Sequence, residues 1–436
     1  MGRHVGRLRR LVHRGEFTHA GAVPRKNVAH ILADGSVAAW NPDADGQVLA
    51  LAVSGSRVYA GGSFIHIGGQ ARRCVAALDV TAGTATDWDP NANGIVFALA
   101  ATGSRVYAGG TFTNIGGQAR GHLAALDVTT GSATGWDPNA NGTVNALALS
   151  GSTVYAGGSF SVIGGQTRNS VAALDPGTGV ASAWNPNVVG SVRALAVGGG
   201  VVYAGGTFSS IGGQTRNNLG AMDATTGVPT EWDPNANANI AAVAVSGSTV
   251  FAGGDFNSIG GQTRYHIAAL DAVTGTATAW SSNADQQVLA LAVSGSVVYA
   301  GGYFTLMSAL ERRGVAALDA TTGAPTAWAP NPDGSVWAMG VRGSTVYLGG
   351  AFTVINGQPR KYIAAVDAAT GTVNAWRPDA NGYVRAIAAT GGTVYAGGTF
   401  STVGGWHETA LLPWTARPVS PAPGTRTRTA PSARSY

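Results

Sequence analysis

At 436 residues the chain is long enough for two or three average domains, yet it is 45% apolar and only 11% charged, against roughly 25% charged in an ordinary globular domain. Its 65 glycines follow no collagen period, and aromatics recur throughout, so the composition is neither fibrous nor that of a disordered chain. The net charge of +5 belongs to the ends: residues 1–26 carry +6 and residues 406–436 carry +3, which leaves the body at −4 and without the basic stripe that nucleic acid requires.

In chain order, residues 1–24 form a basic N-terminal arm, and Met1 to Arg14 lacks the apolar core of a secretory signal. No run of about 18 apolar residues exists, so no membrane span is expected. Residues 25–40 read as the third and fourth strands of a unit that lacks its first two. Trp40, Trp88, Trp136, Trp184, Trp232, Trp280, Trp328 and Trp376 then follow at steps of 48. Tyr59, Tyr107, Tyr155, Tyr203, Phe251, Tyr299, Tyr347 and Tyr395 keep the same step, each opening a (Y/F)-(A/L)-G-G-x-F segment. Within one unit the predicted strands are Ile95–Ala101, Val106–Phe112, His122–Val128 and Ser132–Trp136, bounded by T-G-S, T-T-G and D-P-N-A-N-G. Short apolar runs between such turns are the mark of strands buried on both faces. Val384 to Phe400 supply two more strands, which complete the unit opened by residues 25–40. The expected fold is therefore all-β: a single eight-bladed β-propeller of 48-residue, four-stranded blades over residues 25–405, its ring closed by N- and C-terminal strands sharing one blade. Residues 406–436 are a Pro/Arg/Thr-rich tail expected to be disordered, with neither an arginine at Glu408 nor an aspartate at Thr415 to continue the register. Gly15–Phe17 echoes G-x-F one residue out of register, so the arm is a candidate to cover the seam.

Two resemblances follow from these motifs. A-L-D-V-T-T-G-S-A-T-G-W, Ala125 to Trp136, is similar to the tryptophan-docking motif of quinoprotein-like propellers, with one residue more between Gly131 and Trp136. Gly15 to Ser36 resembles bacterial delta-sixty-type propeller repeats, and the G-G-T-F-T-N-I-G-G-Q-A-R units look like diverged copies over residues 15–405. The resemblance implies a propeller of exported or surface proteins with no common chemistry, whereas this N-terminus carries no signal. Localisation is left open between the two.

The repeated polar residues read as scaffold. Asp79, Asp127, Asp175, Asp223, Asp271, Asp319 and Asp367 are expected to accept backbone N–H bonds from the turn that follows each. Arg72, Arg120, Arg168, Arg216, Arg264, Arg312 and Arg360 are expected to bond a neighbouring blade's turn carbonyls or carboxylate. The loops Asp89–Gly94, Asp137–Gly142 and Asn41–Gly46 resemble the opening of a calcium loop, but the twelfth position falls on Ala100 inside a strand, so they read as tight turns. Cys74 is the only cysteine, the glutamates are Glu16, Glu231, Glu311 and Glu408, and the histidines show no ligand spacing. No catalytic constellation emerges, and neither cofactor nor metal is expected. Variation within the repeat marks one position instead: Leu49, Phe97, Asn145, Arg193, Ala241, Leu289, Trp337 and Arg385. Each follows the Asn/Gly loop, so in a ring they share one height near a channel mouth. Phe97, Asn145, Arg193, Trp337 and Arg385 are the candidate ligand-binding set, although simple solvation explains such variation too. Tyr303 to Arg312 trades the turn glycines for apolar residues including Met307 and Leu310, which reads either as a partner contact or as repeat decay. The expectation is a monomeric, non-catalytic scaffold for a protein, carbohydrate or small-molecule ligand, without nucleic acid. The alternative is a quinoprotein-like oxidoreductase with a cofactor at the axis.

Overall fold

Each repeat builds its sheet around one doubly buried strand. In Arg57–Gly62 the residues from Val58 to Gly62 are all buried, and the same holds for Arg105–Gly110 and Thr153–Gly158. This strand pairs antiparallel on one side with Val48–Ser54 and on the other with Val75–Asp79. The glycine pair that ends it is required by space. A Cβ on Gly61 would lie 2.7 Å from Cγ1 of Val96 in the following sheet, and one on Gly62 would lie 1.9 Å from the carbonyl oxygen of Gln47. The first contact lets two sheets approach, and the second lets the first strand bend across the end of its neighbour.

The computed structural model describes residues 26–32, 41–390, 393–401 and 403, all within a compact unit that ends at Gly405. Expectations for the basic arm, Gly15–Phe17, Trp40, Glu408 and the tail lie outside the described residues. Among those described, every element is a strand and none is a helix. Eight sheets of this kind occur. Seven have first strands at Val48–Ser54, Val96–Ala101, Val144–Ser150, Val188–Gly198, Ile240–Ser246, Val288–Ser294 and Val336–Arg342. In the eighth, Val384–Thr390 pairs with Thr393–Gly398, which pairs in turn with the N-terminal Val28–Leu32.

The cores lie between sheets. Tyr59, Val75 and Ala77 of one sheet, Trp88, and Val96, Val106, Phe112, Ala124 and Leu126 of the next form one buried cluster. Trp88 is fully buried at that seam, edge-on to Tyr59 with centroids 5.1 Å apart, and its Nε1 donates to the Asp127 carbonyl of the next sheet at 2.7 Å. Trp136, Trp184, Trp232, Trp280 and Trp328 repeat this bond onto Asp175, Asp223, Asp271, Asp319 and Asp367. Each first strand also lies against the first strand of the next sheet, and Val384–Thr390 lies against Val48–Ser54. The cluster at this last seam joins Val28 and Tyr395 to Val48, Val58 and Phe64.

The fourth strand differs from the expectation. Only single bridges form there, such as Leu126 with Ala133, because Trp136 leaves its own sheet to reach the next one and Pro138 follows it. A feature unforeseen in the sequence takes up the segment after each of the first seven G-G-x-F runs: a two-stranded ribbon such as His66–Ile67 with Gln70–Ala71. Its turn residues Gly68 and Gly69 have φ of 65° and 77°, the paired left-handed geometry that closes a two-residue hairpin.

Candidate functional site

All eight first strands carry a register shift at the same point. It falls between Val48 and Ala50, Val96 and Ala98, Val144 and Ala146, Val192 and Ala194, Ile240 and Ala242, Val288 and Ala290, Val336 and Ala338, and Val384 and Ala386. The skipped residues are Leu49, Phe97, Asn145, Arg193, Ala241, Leu289, Trp337 and Arg385, the variable series of the sequence. A β-bulge leaves its extra residue out of the ladder and re-aims the side chain. The position therefore tolerates varied side chains; seven of them are second in their strands, and Arg193 lies mid-strand because Val188–Gly198 begins earlier.

Contacts divide the five candidate residues into two groups. Phe97, Asn145 and Arg193, on three consecutive sheets, line an open depression of about 490 Å³ with Thr143, Ser159 and Ser191. Within it Asn145 Nδ2 donates to the Val192 carbonyl at 3.2 Å, and the Ser159 and Ser191 hydroxyls lie 2.8 Å apart. Trp337 and Arg385 form the second group, with the guanidinium carbon 4.7 Å from the indole centroid. The same indole meets Tyr383 edge-on at 5.1 Å, and Tyr383 meets Tyr362 edge-on at 5.7 Å. Tyr383 is 44% exposed, and Trp337 Nε1 is buried without a hydrogen-bond partner.

Thr143, Ser191, Tyr383 and Tyr362 were not among the sequence candidates. Thr143, Ser191 and Tyr383 belong to a second variable series two residues before the bulge, which the 48-residue alignment displays. Tyr362 belongs to a third, preceding the third strand, with Cys74, His122, Ser170, Asn218, His266 and Gly314 at the same step and Asn27, one residue off that step, in the matching place before Val28. All of these have φ between 58° and 67°, a left-handed conformation that suits Gly and Asn and strains a tyrosine.

The repeated polar groups are engaged in turns. Asp127 Oδ1 accepts the backbone N–H groups of Thr129 at 2.9 Å and Thr130 at 2.7 Å, and the other six aspartates repeat the pattern. These bonds hold all seven carboxyls below their ordinary range, the N–H three residues on being the largest cause. The arginines correct an expectation. Arg72 bonds carbonyls within its own repeat, Nη1 to Ala71 at 2.9 Å and Nη2 to Thr86 at 2.7 Å, rather than a neighbour's turn, and its carboxylate contact is with Asp89 of the loop that follows, at 3.5 Å. The chain doubles back through the ribbon, which brings the fourth segment of the same unit under the guanidinium. In the Asn/Gly loops the fifth residue clamps the ribbon: Asp45 Oδ1 accepts from Ile65 N at 2.7 Å and His66 N at 2.9 Å, and Asn93 does likewise for Thr113 and Asn114. The third residue, Asn91 or Asn139, supplies a left-handed φ of 48° or 45°. Among the described residues no three His, Cys, Asp or Glu side chains gather as a metal site would require.

In the sixth unit Met307 is fully buried where other repeats place isoleucine, so it belongs to the core and not to a surface patch. Tyr303, Leu306 and Leu310 are exposed there, at 45%, 42% and 47%.

Solved structures similar to this chain include the following two. The computationally designed protein Ika8 shares 19% identity at a TM-score of 0.56, over 82% of this chain and 95% of its own. BamB from Moraxella catarrhalis shares 18% identity at a TM-score of 0.51, over 88% of this chain and 97% of its own. No curated protein matches the sequence. The family described as outer membrane protein assembly factor BamB matches residues 167–408, more than half of the chain. With its all-β sheets, its tryptophans docked from sheet to sheet and this match together, the chain belongs to that PQQ-like β-propeller family.

Proposed function

We propose that this protein is a non-catalytic scaffold that binds a protein partner, built as one closed eight-bladed propeller of delta-sixty-type repeats. Closure is supported by the pairing of Val28–Leu32 with Thr393–Gly398 and by the packing of Val384–Thr390 on Val48–Ser54. The observation that carries the binding reading is the bulge present in all eight first strands. It directs eight side chains of six residue types from one end of the ring, while the aspartates, tryptophans and arginines around them repeat almost unchanged. A surface diversified on an invariant frame is how repeat proteins present a binding face. The family's description as an assembly factor accords with a protein partner. Absence of catalysis is inferred from the engagement of the seven repeated aspartates by backbone N–H groups.

Site-specific photo-crosslinking in the native host tests this reading. A photoreactive residue at Arg193 or Arg385 is expected to trap a discrete protein adduct, whereas one at Val273, 80% exposed at the opposite end of the strands, is not. Equal labelling at both ends, or no adduct from any bulge position, overturns it. A quinone-like chromophore or stoichiometric metal in protein from that host would replace the scaffold with an enzyme.

A further inference from the structure

We infer that Trp337, Tyr383 and Tyr362 form a docking site for a proline-rich segment of the partner in polyproline II conformation; this rests on the protein-binding reading and specifies what is recognised.

Two features set this one seam apart from the others. First, its three rings stand edge-to-face in sequence, at interplanar angles of 75° and 74°. Rings so arranged make ridges with gaps between them, which fits proline rings better than it fits a flat sugar or base. Second, Trp337 has an unused donor. The Nε1 atoms of Trp88, Trp136, Trp184, Trp232, Trp280 and Trp328 all donate to an aspartate carbonyl, whereas that of Trp337 is buried with no partner. A buried N–H without an acceptor is unfavourable, so an acceptor delivered there is rewarded. Its cover is the Arg385 side chain, which is exposed and joined to no carboxylate among the described residues. A flexible cover of this kind can swing aside and offer its charge to an acidic residue beside the prolines.

Polyproline II supplies the matching chemistry. It has no internal hydrogen bonds, its carbonyls are free to accept, and little entropy is lost when it docks on aromatic ridges. A glycan would need amide or carboxylate side chains free to meet its hydroxyls. Here Asp379 is held by Arg377 at 2.9 Å and by the Lys361 N–H at 2.7 Å, and Asn381 is bound to Ser401.

The test is fluorescence anisotropy of labelled decaproline bearing an N-terminal glutamate, titrated with the full chain. Saturable binding is expected. W337F, which keeps a ring and removes the N–H, is expected to weaken it about tenfold, and Y383A at least as much. Val273→Ser is expected to leave it unchanged. Tyr383 is largely exposed, so Y383A keeps the test valid if W337F fails to fold, with urea midpoints as the check. Absence of decaproline binding by the folded protein overturns the inference. So does binding that both ring variants leave intact. Binding of chitohexaose that Y383A abolishes, without competition from decaproline, assigns the site to a glycan instead. If crosslinks at Arg193 or Arg385 persist while decaproline fails, only the ligand class is wrong; if both fail, the scaffold reading falls with it.

Discussion

Replacing Tyr362 with asparagine should give a more stable protein than replacing it with alanine, although asparagine is the more polar residue. Both substitutions remove the edge contact with Tyr383, about 0.5–1.5 kcal/mol, so that loss cancels in the comparison. What remains is the backbone. At a φ of 63° alanine keeps the left-handed penalty of roughly 1–2 kcal/mol, whereas asparagine visits this region readily. Asparagine also gains a bond. At the equivalent position Asn27 Nδ2 donates to the Ala44 carbonyl at 2.7 Å, and Asn218 Nδ2 to the Ala236 carbonyl at 2.8 Å. A residue at 362 has the Ala380 carbonyl in the same place, and the bond is worth about 1 kcal/mol. Together the two terms put Y362N about 2 kcal/mol above Y362A. Urea unfolding of the two variants, compared at equal slope, measures the difference. Agreement within about 0.5 kcal/mol would refute the reasoning, because neither the strain nor the seam bond could then exist as described.

Other consequences concern the frame. Gly62→Ala forces a Cβ to within 1.9 Å of the Gln47 carbonyl oxygen and should cost about 3 kcal/mol or prevent folding, while Gly55→Ala, with open space around it, should cost only about 1 kcal/mol despite its φ of 58°; urea midpoints separate the two. The turn aspartates have carboxyls depressed by backbone N–H bonds, so the stability they contribute is present above the unfolded pKa of about 4 and is lost as pH falls through the lower folded values. The melting temperature should therefore hold level above about pH 5 and fall steadily below about pH 4, and a level curve down to about pH 2 would contradict the turn geometry. Burial pushes the Cys74 thiol up, so a disulfide reagent near neutral pH should label it at least about tenfold more slowly in the folded chain than in urea, and equal rates would place it in open solvent.

Much of this protein is set by its sequence alone. A 48-residue period in tryptophan, tyrosine and glycine-pair positions is enough to require a stack of identical β-units, because each unit buries its central strand only against neighbours. The period also isolates Leu49, Phe97, Asn145, Arg193, Ala241, Leu289, Trp337 and Arg385 as the variable positions. Why they vary is not written there. A bulge is a matter of which residue is skipped in the ladder, and that depends on Gly62 and its counterparts letting the first strand bend across them. The same holds for Met307 and for the arginines, whose surroundings are decided by a ribbon that returns the chain onto its own repeat. Only the tertiary structure could bring Tyr362, 21 residues before Tyr383 in the chain, against it across a seam, and leave Trp337, among the described residues, with a buried donor unused. Local periodicity reports what every unit shares, whereas a site arises where neighbouring units differ, and that difference becomes chemistry only when packing sets their side chains face to face.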